Sequence, residues 1–229
     1  MGKVSSYTDT TPLDADMFYF AKSGTPNTSK MSTWTRIKST LKTYFDTLYT
    51  PPYLFPNKVI GGVVHNQLWV GGFKPTITSG CAASAQIEMG TNKNVYDYLA
   101  FDASTIEYAY ANIVMPADYT GGVIYFKPYW LHPATTINFN VSWGLAGVSF
   151  SNDDTLDAAQ GTAIYSNDTG GTTSDLYIGD LSAAVTIAGT PVANDLVQFR
   201  CLRKADDGTN DTLAVDAYLL GFMIYYPVA

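Results

Sequence analysis

The chain has 229 residues, of which 46% are hydrophobic and 14% are charged, and its formal net charge is −7. Residues 51–229 carry seven basic and sixteen acidic side chains, so we expect no nucleic-acid partner, because phosphate binding needs a basic surface. No apolar run approaches the roughly 18 residues of a membrane-spanning helix, and the N-terminus lacks the pattern of a signal peptide. We therefore expect a protein that folds in a cytoplasm and is not inserted into a membrane.

The first 50 residues differ from the rest, since six Lys or Arg against four Asp give them a net charge of +2. Residues 16–22 predict a strand, "SGTPNTS" (23–29) a turn, and "KMS" (30–32) a short return strand. Ser32 or Thr33 is a good helix N-cap, and Pro51-Pro52 ends the helix because neither proline can donate an amide. Residues 1–50 are therefore predicted to form a β-hairpin and a short helix that serve as an attachment module.

Apolar residues of the predicted helix recur at intervals of three and four, which are the a and d positions of a heptad. They are Trp34, Ile37, Leu41, Tyr44 and Leu48. Two interpretations stay open: the helix packs on its own hairpin, or it forms a short parallel seam between three identical subunits. Two heptads are too few to hold a coiled coil alone, so the second interpretation requires the C-terminal domains to associate as well.

Residues 51–78 are rich in Gly and Pro and are interpreted as a connector. Two Gly-Gly pairs, at 61–62 and 71–72, flank a short apolar strand around Leu68-Trp69-Val70. Neither pair matches a phosphate-binding loop, so we expect turns or bulges at both.

From residue 79 onward the pattern predicts strands. "INFNVSWGL" (137–145) alternates apolar and polar residues, which predicts one face on a core and one face in water. "DLVQFRCL" (195–202) repeats the alternation, with Val197, Phe199 and Cys201 inward. About eight such strands, separated by turn clusters, predict a mainly β protein with an antiparallel, jelly-roll-like β-sandwich over residues 79–229. The final strand, "TLAVDAYLLGFMIYY" (212–226), is apolar on both faces, so it must lie centrally in a sheet or face a neighbouring subunit.

Residue types that carry catalysis are sparse. The sequence has two histidines, His65 and His132, and no GxSxG-type nucleophile elbow. We therefore expect both histidines to be loop or core residues. Cys81 and Cys201 lack the spacing of metal ligands, which predicts two reduced, buried thiols, with a disulfide as the alternative. We therefore expect no enzyme activity, no metal centre and no cofactor.

Aspartates cluster in two predicted turns, "SNDDTLD" (151–157) and "KADDGTND" (204–211). Asp is common in turns because its carboxylate accepts hydrogen bonds from nearby backbone amides. A loose calcium site is the alternative there. With only two glutamates, Glu88 and Glu107, the chain does not indicate a catalytic carboxylate pair.

Aromatic side chains at turns or strand edges could form a platform on which sugar rings stack. For any one of them, burial in the core is the favoured interpretation. The four candidates are Tyr119, Tyr129, Trp130 and Tyr165.

Two parts of the chain resemble phage proteins. The stretch "PLDADMFYFAKSGTPNTSKMSTWTRIKSTLKTYF" (12–45) is similar to the N-terminal module of tailed-phage fibres and tailspikes. Residues 79–227, including "LAFDASTIEYAYANIVMPADYTGGVIYFKPYW" and "NDLVQFRCLRKADDGTNDTLAVDAYLLGFMIYY", resemble a β-sandwich domain of structural proteins from environmental phages. The resemblance implies a virion protein without enzymatic activity, assembled in the host cytoplasm as a homotrimer and held to other virion proteins by its N-terminal module.

Taken with the strand pattern, this resemblance predicts a short fibre whose β-sandwich binds a host-surface polysaccharide or protein. The alternative is a capsid decoration or cement protein of the same fold that stabilises the head. The two alternatives share every sequence feature and differ in what the N-terminal module binds.

Overall fold

A computed structural model describes residues 17–21, 29–33, 41, 58–78, 80–135 and 138–229. The chain divides into two compact units, residues 1–54 and residues 55–229, and each is described by itself. No helix within these described ranges is long and apolar enough to cross a membrane.

In the first unit, β1 (Met17–Ala21) pairs antiparallel with β2 (Ser29–Thr33). This confirms the predicted hairpin, whose ends meet with Ala21 opposite Ser29. The predicted helix falls outside the described residues, and so do Trp34, Ile37, Tyr44 and Leu48 of its stripe. Leu41 is described, and it is helical and 44% exposed.

The second unit consists of strands joined by turns and loops. Their bounds are β3 (Lys58–Ile60), β4 (Val63–Gly71), β5 (Lys74–Pro75), β6 (Ala85–Glu88), β7 (Val95–Phe101), β8 (Tyr108–Val114), β9 (Tyr125–Leu131), β10 (Phe139–Phe150), β11 (Ile164–Gly170), β12 (Tyr177–Ile178), β13 (Leu196–Arg203) and β14 (Ala217–Pro227).

These strands form two antiparallel sheets that face each other as a jelly-roll-like sandwich, which confirms the predicted fold class. Sheet 1 has the order β11-β10-β13-β8-β5. Sheet 2 has the order β12-β9-β14-β4-β3, and the β6–β7 hairpin joins it because β7 also pairs with β14. Strand β14 therefore lies centrally, with β9 on one side and both β4 and β7 on the other, as its two apolar faces predict.

The core lies between the two sheets, where alternate residues of each strand point inward. Trp143 of β10, Phe199 of β13 and Trp130 of β9 are fully buried there, and so are Val197 and Cys201, as predicted. Each large apolar side chain removed from water contributes roughly 1.5–3 kcal/mol to folding. The sandwich thus rests on burial in an ordinary hydrophobic core.

One face of β10 was predicted to lie in water, and for most of the strand this prediction is wrong. Ser142 and Gly144 are both buried. Gly144 leaves room for the side chains of Tyr165 and Leu202, which would lie within 3 Å of an added Cβ. Further along, beyond the last residue that pairs with β11, the amides of Gly161 and Ala188 bind the Gly147 carbonyl at the free edge of the strand. Polar and small residues on a strand mark a solvent face only when no other side chain packs over it.

The predicted connector is also corrected. Residues 58–75 form β3, β4 and β5, and β4 pairs with β14 from Gly71 opposite Gly221 to His65 opposite Pro227. The sandwich therefore begins before residue 79, and the unit that contains it starts at Phe55. The glycines of this stretch mark a turn and a strand end, since Gly61 and Gly62 have φ values of +58° and +84° and join β3 to β4.

A buried ion pair fixes the long loop between β13 and β14. The Arg203 Nε donates to both carboxylate oxygens of Asp211 at 3.0 and 3.2 Å, and both side chains are almost fully buried. Nη2 also donates to the Asp211 Oδ1 at 2.7 Å, and the other guanidinium hydrogens reach the carbonyls of Phe101, Val215 and Leu213. Asp211, predicted as part of a solvated turn, is instead a core residue, whereas Asp207 accepts backbone amides in its turn as predicted.

Candidate functional site

Two of the four candidate sugar-binding aromatics are core residues, which agrees with the favoured interpretation and excludes a binding role for them. Trp130 is 0% exposed, and its Nε1 donates to Asp168 at 2.9 Å. Tyr119 is also buried, its hydroxyl donates to the Gly122 carbonyl at 2.7 Å, and burial raises its pKa to about 12. Trp130 is a large residue on an inward strand position, so core burial accounts for it.

The other two predicted aromatics are accessible but lie on different sheets. Tyr165 is on the edge strand of sheet 1 and is 38% exposed. Tyr129 is on β9 of sheet 2, where it lines a cleft of about 600 Å³. The structure therefore does not bring the predicted set together, and only Tyr129 belongs to a cavity of this size.

The floor of this cleft is the outer face of sheet 2. Trp69 of β4, Tyr129 and Leu131 of β9, and Leu220 of β14 line it. The register of β14 shifts between Leu219 and Gly221, and such a β-bulge puts two successive residues on one face. Leu220 and Gly221 therefore both lie on the outer face, and the Leu220 side chain lines the cleft.

Trp69 is held in place by two glycines. Gly71 and Gly221 are direct cross-strand partners, and an added Cβ on them would lie 2.8 Å from Nε1 and 2.6 Å from Cζ2 of the indole. The ring thus lies across the bare backbone of both strands. Its edge relation to Tyr129, with centroids 5.1 Å apart and planes at 87°, is a favourable aromatic geometry. The indole remains 46% exposed, so it is a preformed and open apolar surface.

One wall of the cleft is the β6–β7 hairpin, which contributes Met89, Val95, Tyr96 and Asp97. Its tip is closed by hydrogen bonds between Met89 and the residues that follow, including one from the Met89 amide to the Asn94 carbonyl at 2.8 Å. The Asp97 carboxylate accepts a bond from Gln86 at 2.8 Å and is otherwise available to a ligand hydroxyl. This wall therefore supplies both an aromatic ring and a hydrogen-bond acceptor.

The opposite wall is the loop between β11 and β12, which contributes Ser174 and Leu176. The Tyr177 hydroxyl accepts a bond from the Gly171 amide at 3.0 Å and donates to the Thr172 carbonyl at 2.8 Å. The Ser174 amide also donates to the His132 carbonyl at 3.1 Å. These bonds tie the loop to the strand below it.

His132 lies beneath this loop without a hydrogen-bond partner. It is 0% exposed, and neither ring nitrogen is paired within the described part of the chain. Its neighbours are aromatic, with the Phe139 ring 4.6 Å and the Tyr177 ring 5.4 Å away. Burial lowers the pKa of His132, and the carbonyl of Ala134 and the charge of Asp175 oppose this only in part. His132 is thus a buried core histidine, as the sequence predicts.

The cleft combines a large apolar floor with a few polar groups at its rim. Such a composition is typical of sites that bind small molecules or chain segments. Its lining has one carboxylate, that of Asp97, and no histidine or cysteine. Across the residues that the structure describes, no three His, Cys, Asp or Glu side chains lie close enough together to hold a metal ion.

Sequence reasoning missed Trp69, Tyr96 and Asp97. The available signal was the outward position of Trp69 in an alternating strand, next to a Gly-Gly pair that could seat its ring. Tyr96 and Asp97 carried no signal, because they reach the cleft only through the pairing of β7 with β14.

No family model and no curated protein matches the sequence. Three solved structures are similar in fold. The xylan-binding CBM22-2 domain of Paenibacillus barcinonensis Xyn10C is 10% identical over 69% of this chain and 92% of that chain, with a TM-score of 0.39. The CBM22-1–GH10 modules of Clostridium thermocellum xylanase 10B, complexed with xylohexaose, are 17% identical over 72% of this chain and 28% of that chain, with a TM-score of 0.37. CBM35 of Cellvibrio japonicus Abf62 is 8% identical over 72% of this chain and 99% of that chain, with a TM-score of 0.36. At these values the similarity carries no argument about function.

Proposed function

We propose that this chain is a non-catalytic carbohydrate-binding protein of a phage virion, and that the cleft on sheet 2 holds a segment of surface polysaccharide. The observation that carries the proposal is the Trp69 indole, which rests on Gly71 and Gly221 and leaves its other face open. A sugar ring has an apolar face of C–H groups and a rim of hydroxyls. It can therefore stack on an indole while its hydroxyls bond to groups at the rim of the cleft.

The shape of the cleft supports this proposal. Its volume of about 600 Å³ lies within the range of roughly 300–1,000 Å³ that small-molecule sites occupy. Tyr129 and Tyr96 add aromatic surface on either side of Trp69, and Asp97 and Ser174 provide hydrogen-bonding groups. Because Trp69 is already fixed by its seat, little side-chain entropy is lost when a ligand covers it.

The setting in a virion rests on the resemblance of residues 12–45 and 79–227 to phage fibre and virion proteins. In that setting a trimeric fibre presents several clefts at once, and several weak sites acting together bind far more tightly than one. A head-decoration protein of the same fold is the alternative. The number of copies in purified particles separates the two, since tens or fewer indicate a fibre and hundreds a decoration protein. Chemical cross-linking of the purified chain followed by mass measurement tests the trimer.

The proposed binding is tested with full-length protein on an array of bacterial surface polysaccharides. Trp69→Ala should weaken binding about thirtyfold, since removing a central tryptophan from an interface costs roughly 2 kcal/mol. Gly71→Ala should weaken it as well, because the new Cβ displaces the indole from its seat. The matched control is Tyr165→Ala, which removes an exposed tyrosine from the other sheet.

Melting temperatures of all three variants should stay close to that of the wild type, since none of these side chains lies in the core. Equal binding by Trp69→Ala and Tyr165→Ala would show that the cleft is not the binding site. Release of reducing ends from a bound polysaccharide would overturn the non-catalytic part of the proposal.

A further inference from the structure

A second groove lies on the other side of Trp69. It has a volume of about 370 Å³ and shares Trp69, Gly71 and Gly72 with the cleft. Apart from Val70 of β4, its remaining lining comes from β5 and β8 of sheet 1, and includes Lys74, Tyr110 and Asn112. We call it the side groove. Trp69 is thus a ridge between two adjoining cavities, so a chain that stacks on this residue can extend into both.

The side groove exists because the backbone crosses there from sheet 2 to sheet 1. Gly72, with φ of +66°, takes a left-handed conformation that suits glycine and turns the chain. Phe73 then enters the core, where its ring lies 5.5 Å from that of Phe222. Lys74 follows and pairs with Tyr110 on the outside of sheet 1. The crossing therefore leaves a notch with a lysine at its edge.

Positive charge collects on this face of sheet 1. Tyr110 pairs with Lys74 on one side and with Arg200 on the other, and residues opposite each other on neighbouring strands point to the same face. The guanidinium of Arg200 lies 5.0 Å above the Tyr108 ring, and its Nε is buried without a hydrogen-bond partner. Two cations therefore flank one tyrosine of the groove.

Neither cation has a carboxylate partner among the described residues. The ion pairs found there involve Lys93, Arg203 and Lys204. Residues 51–229 contain sixteen acidic side chains against seven basic ones, so two neighbouring unpaired cations are unusual on this surface. Asp97 has the one carboxylate that lines either cavity, and it belongs to the cleft and not to the side groove.

We propose that the side groove is an anion-recognising subsite and that the chain's ligand is an acidic polysaccharide. This inference rests on the proposed function. A neutral sugar stacks on Trp69 and offers hydroxyls to Asp97, which repels negative charge. The adjoining sugar carries a carboxylate or a sulfate into the side groove, where the Lys74 ammonium binds it and Arg200 adds to the positive potential. Charge-assisted hydrogen bonds of this kind are stronger than neutral ones.

The test uses full-length protein and a panel of uronate-containing, sulfated and neutral bacterial polysaccharides, each acidic one paired with its carboxyl-reduced or desulfated form. The wild type should bind at least one acidic polysaccharide about tenfold or more above its neutralised form. Higher salt should reduce this preference, because exposed charges are screened. Comparing the uronate-containing with the sulfated polysaccharides identifies which anion the groove accepts.

Lys74→Gln should lose the preference for the acidic form and keep the binding of the neutralised form. Lys93→Gln is the matched control, because it changes the net charge equally at an exposed hairpin position outside both cavities. An unchanged preference in Lys74→Gln, or a wild type that binds neutral and acidic forms alike, would overturn the inference and leave the proposed function standing. The roughly thirtyfold weaker binding expected of Trp69→Ala tests the cleft independently, and a wild type that binds nothing on the panel overturns both proposals.

Discussion

Replacing Arg203 with methionine should strongly destabilise the sandwich. The guanidinium is fully buried and bonds to the Asp211 carboxylate and to three backbone carbonyls, those of Phe101, Val215 and Leu213. Methionine fills much of the space but donates no hydrogen bond. The carboxylate and the carbonyls would then be left in the core without these donors, and an uncompensated buried charge is the largest part of the cost.

Removing one partner of a buried ion pair typically costs about 3–5 kcal/mol. For a domain of this size each kcal/mol lowers the melting temperature by roughly 2–4 °C, so we expect a decrease of about 6–20 °C in thermal unfolding. The double variant Arg203→Met, Asp211→Leu should recover part of the loss, because it removes the stranded carboxylate. Lys204→Gln, which breaks the neighbouring and largely exposed pair with Asp206, should change the melting temperature little. A decrease in Arg203→Met no larger than that in Lys204→Gln would refute the reasoning.

Two further predictions concern titratable groups in the core. Burial holds the pKa of His132 below its usual value of 6.5 in the folded state. The contribution of His132 to the free energy of unfolding should therefore be constant above about pH 6.5 and should fall at lower pH, because the unfolded chain then binds the proton more readily than the folded one. Urea unfolding at pH 7.5 and 5.5 measures this, and His132→Phe should reduce the difference; an equal difference in wild type and variant would contradict it. Burial, aided by the charge of Glu107, raises the pKa of Cys81 to about 12, and burial raises that of Cys201 as well. Neither thiol should therefore react with a thiol reagent at pH 8 until the protein is unfolded. Rapid reaction of the native protein would contradict this prediction.

The alternative of a disulfide between these cysteines conflicts with the strand register. Gly80 bridges to Tyr108 on one side of β8, and Ala109 pairs with Cys201 on the other. Ala109 therefore lies between the two cysteines. Gly80, the residue before Cys81, thus lies two strand spacings of about 4.8 Å each from Cys201, and both cysteines are free thiols.

The fold could be predicted because alternation is a local signal. The inward residues of β13 and the central place of β14 follow from which side chains are apolar, and tertiary packing did not override them. The connector was misread because glycine and proline composition does not distinguish a linker from a strand with glycine-rich ends. In β4, Leu68 and Val70 face the core while Gly71 serves as a seat for Trp69, a role that only the partner strand defines.

The cleft could not be predicted from local patterns. Its floor comes from three strands and its walls from a hairpin and a loop, so its members are brought together by pairings such as that of Leu219 with Leu99 and not by proximity in sequence. The predicted aromatics were chosen as exposed on the basis of neighbouring turn residues. Trp130 shows why this fails, since it stands at an inward position of a strand whose outward neighbour, Tyr129, is the one that lines the cleft.

The position of the cleft along sheet 2 bears on how the sandwich could be attached. Lys58 of β3 and Pro227 of β14 both pair with His65 of β4, so the chain enters and leaves the sheet at the same level. Trp69 is four residues further along β4, roughly 13 Å away at the rise of an extended strand, and Leu220 is seven residues back along β14, roughly 23 Å away. The chain therefore enters at one end of sheet 2 and the cleft lies toward the other. A tether at the first end and a ligand at the second therefore need not compete for one surface of the sandwich.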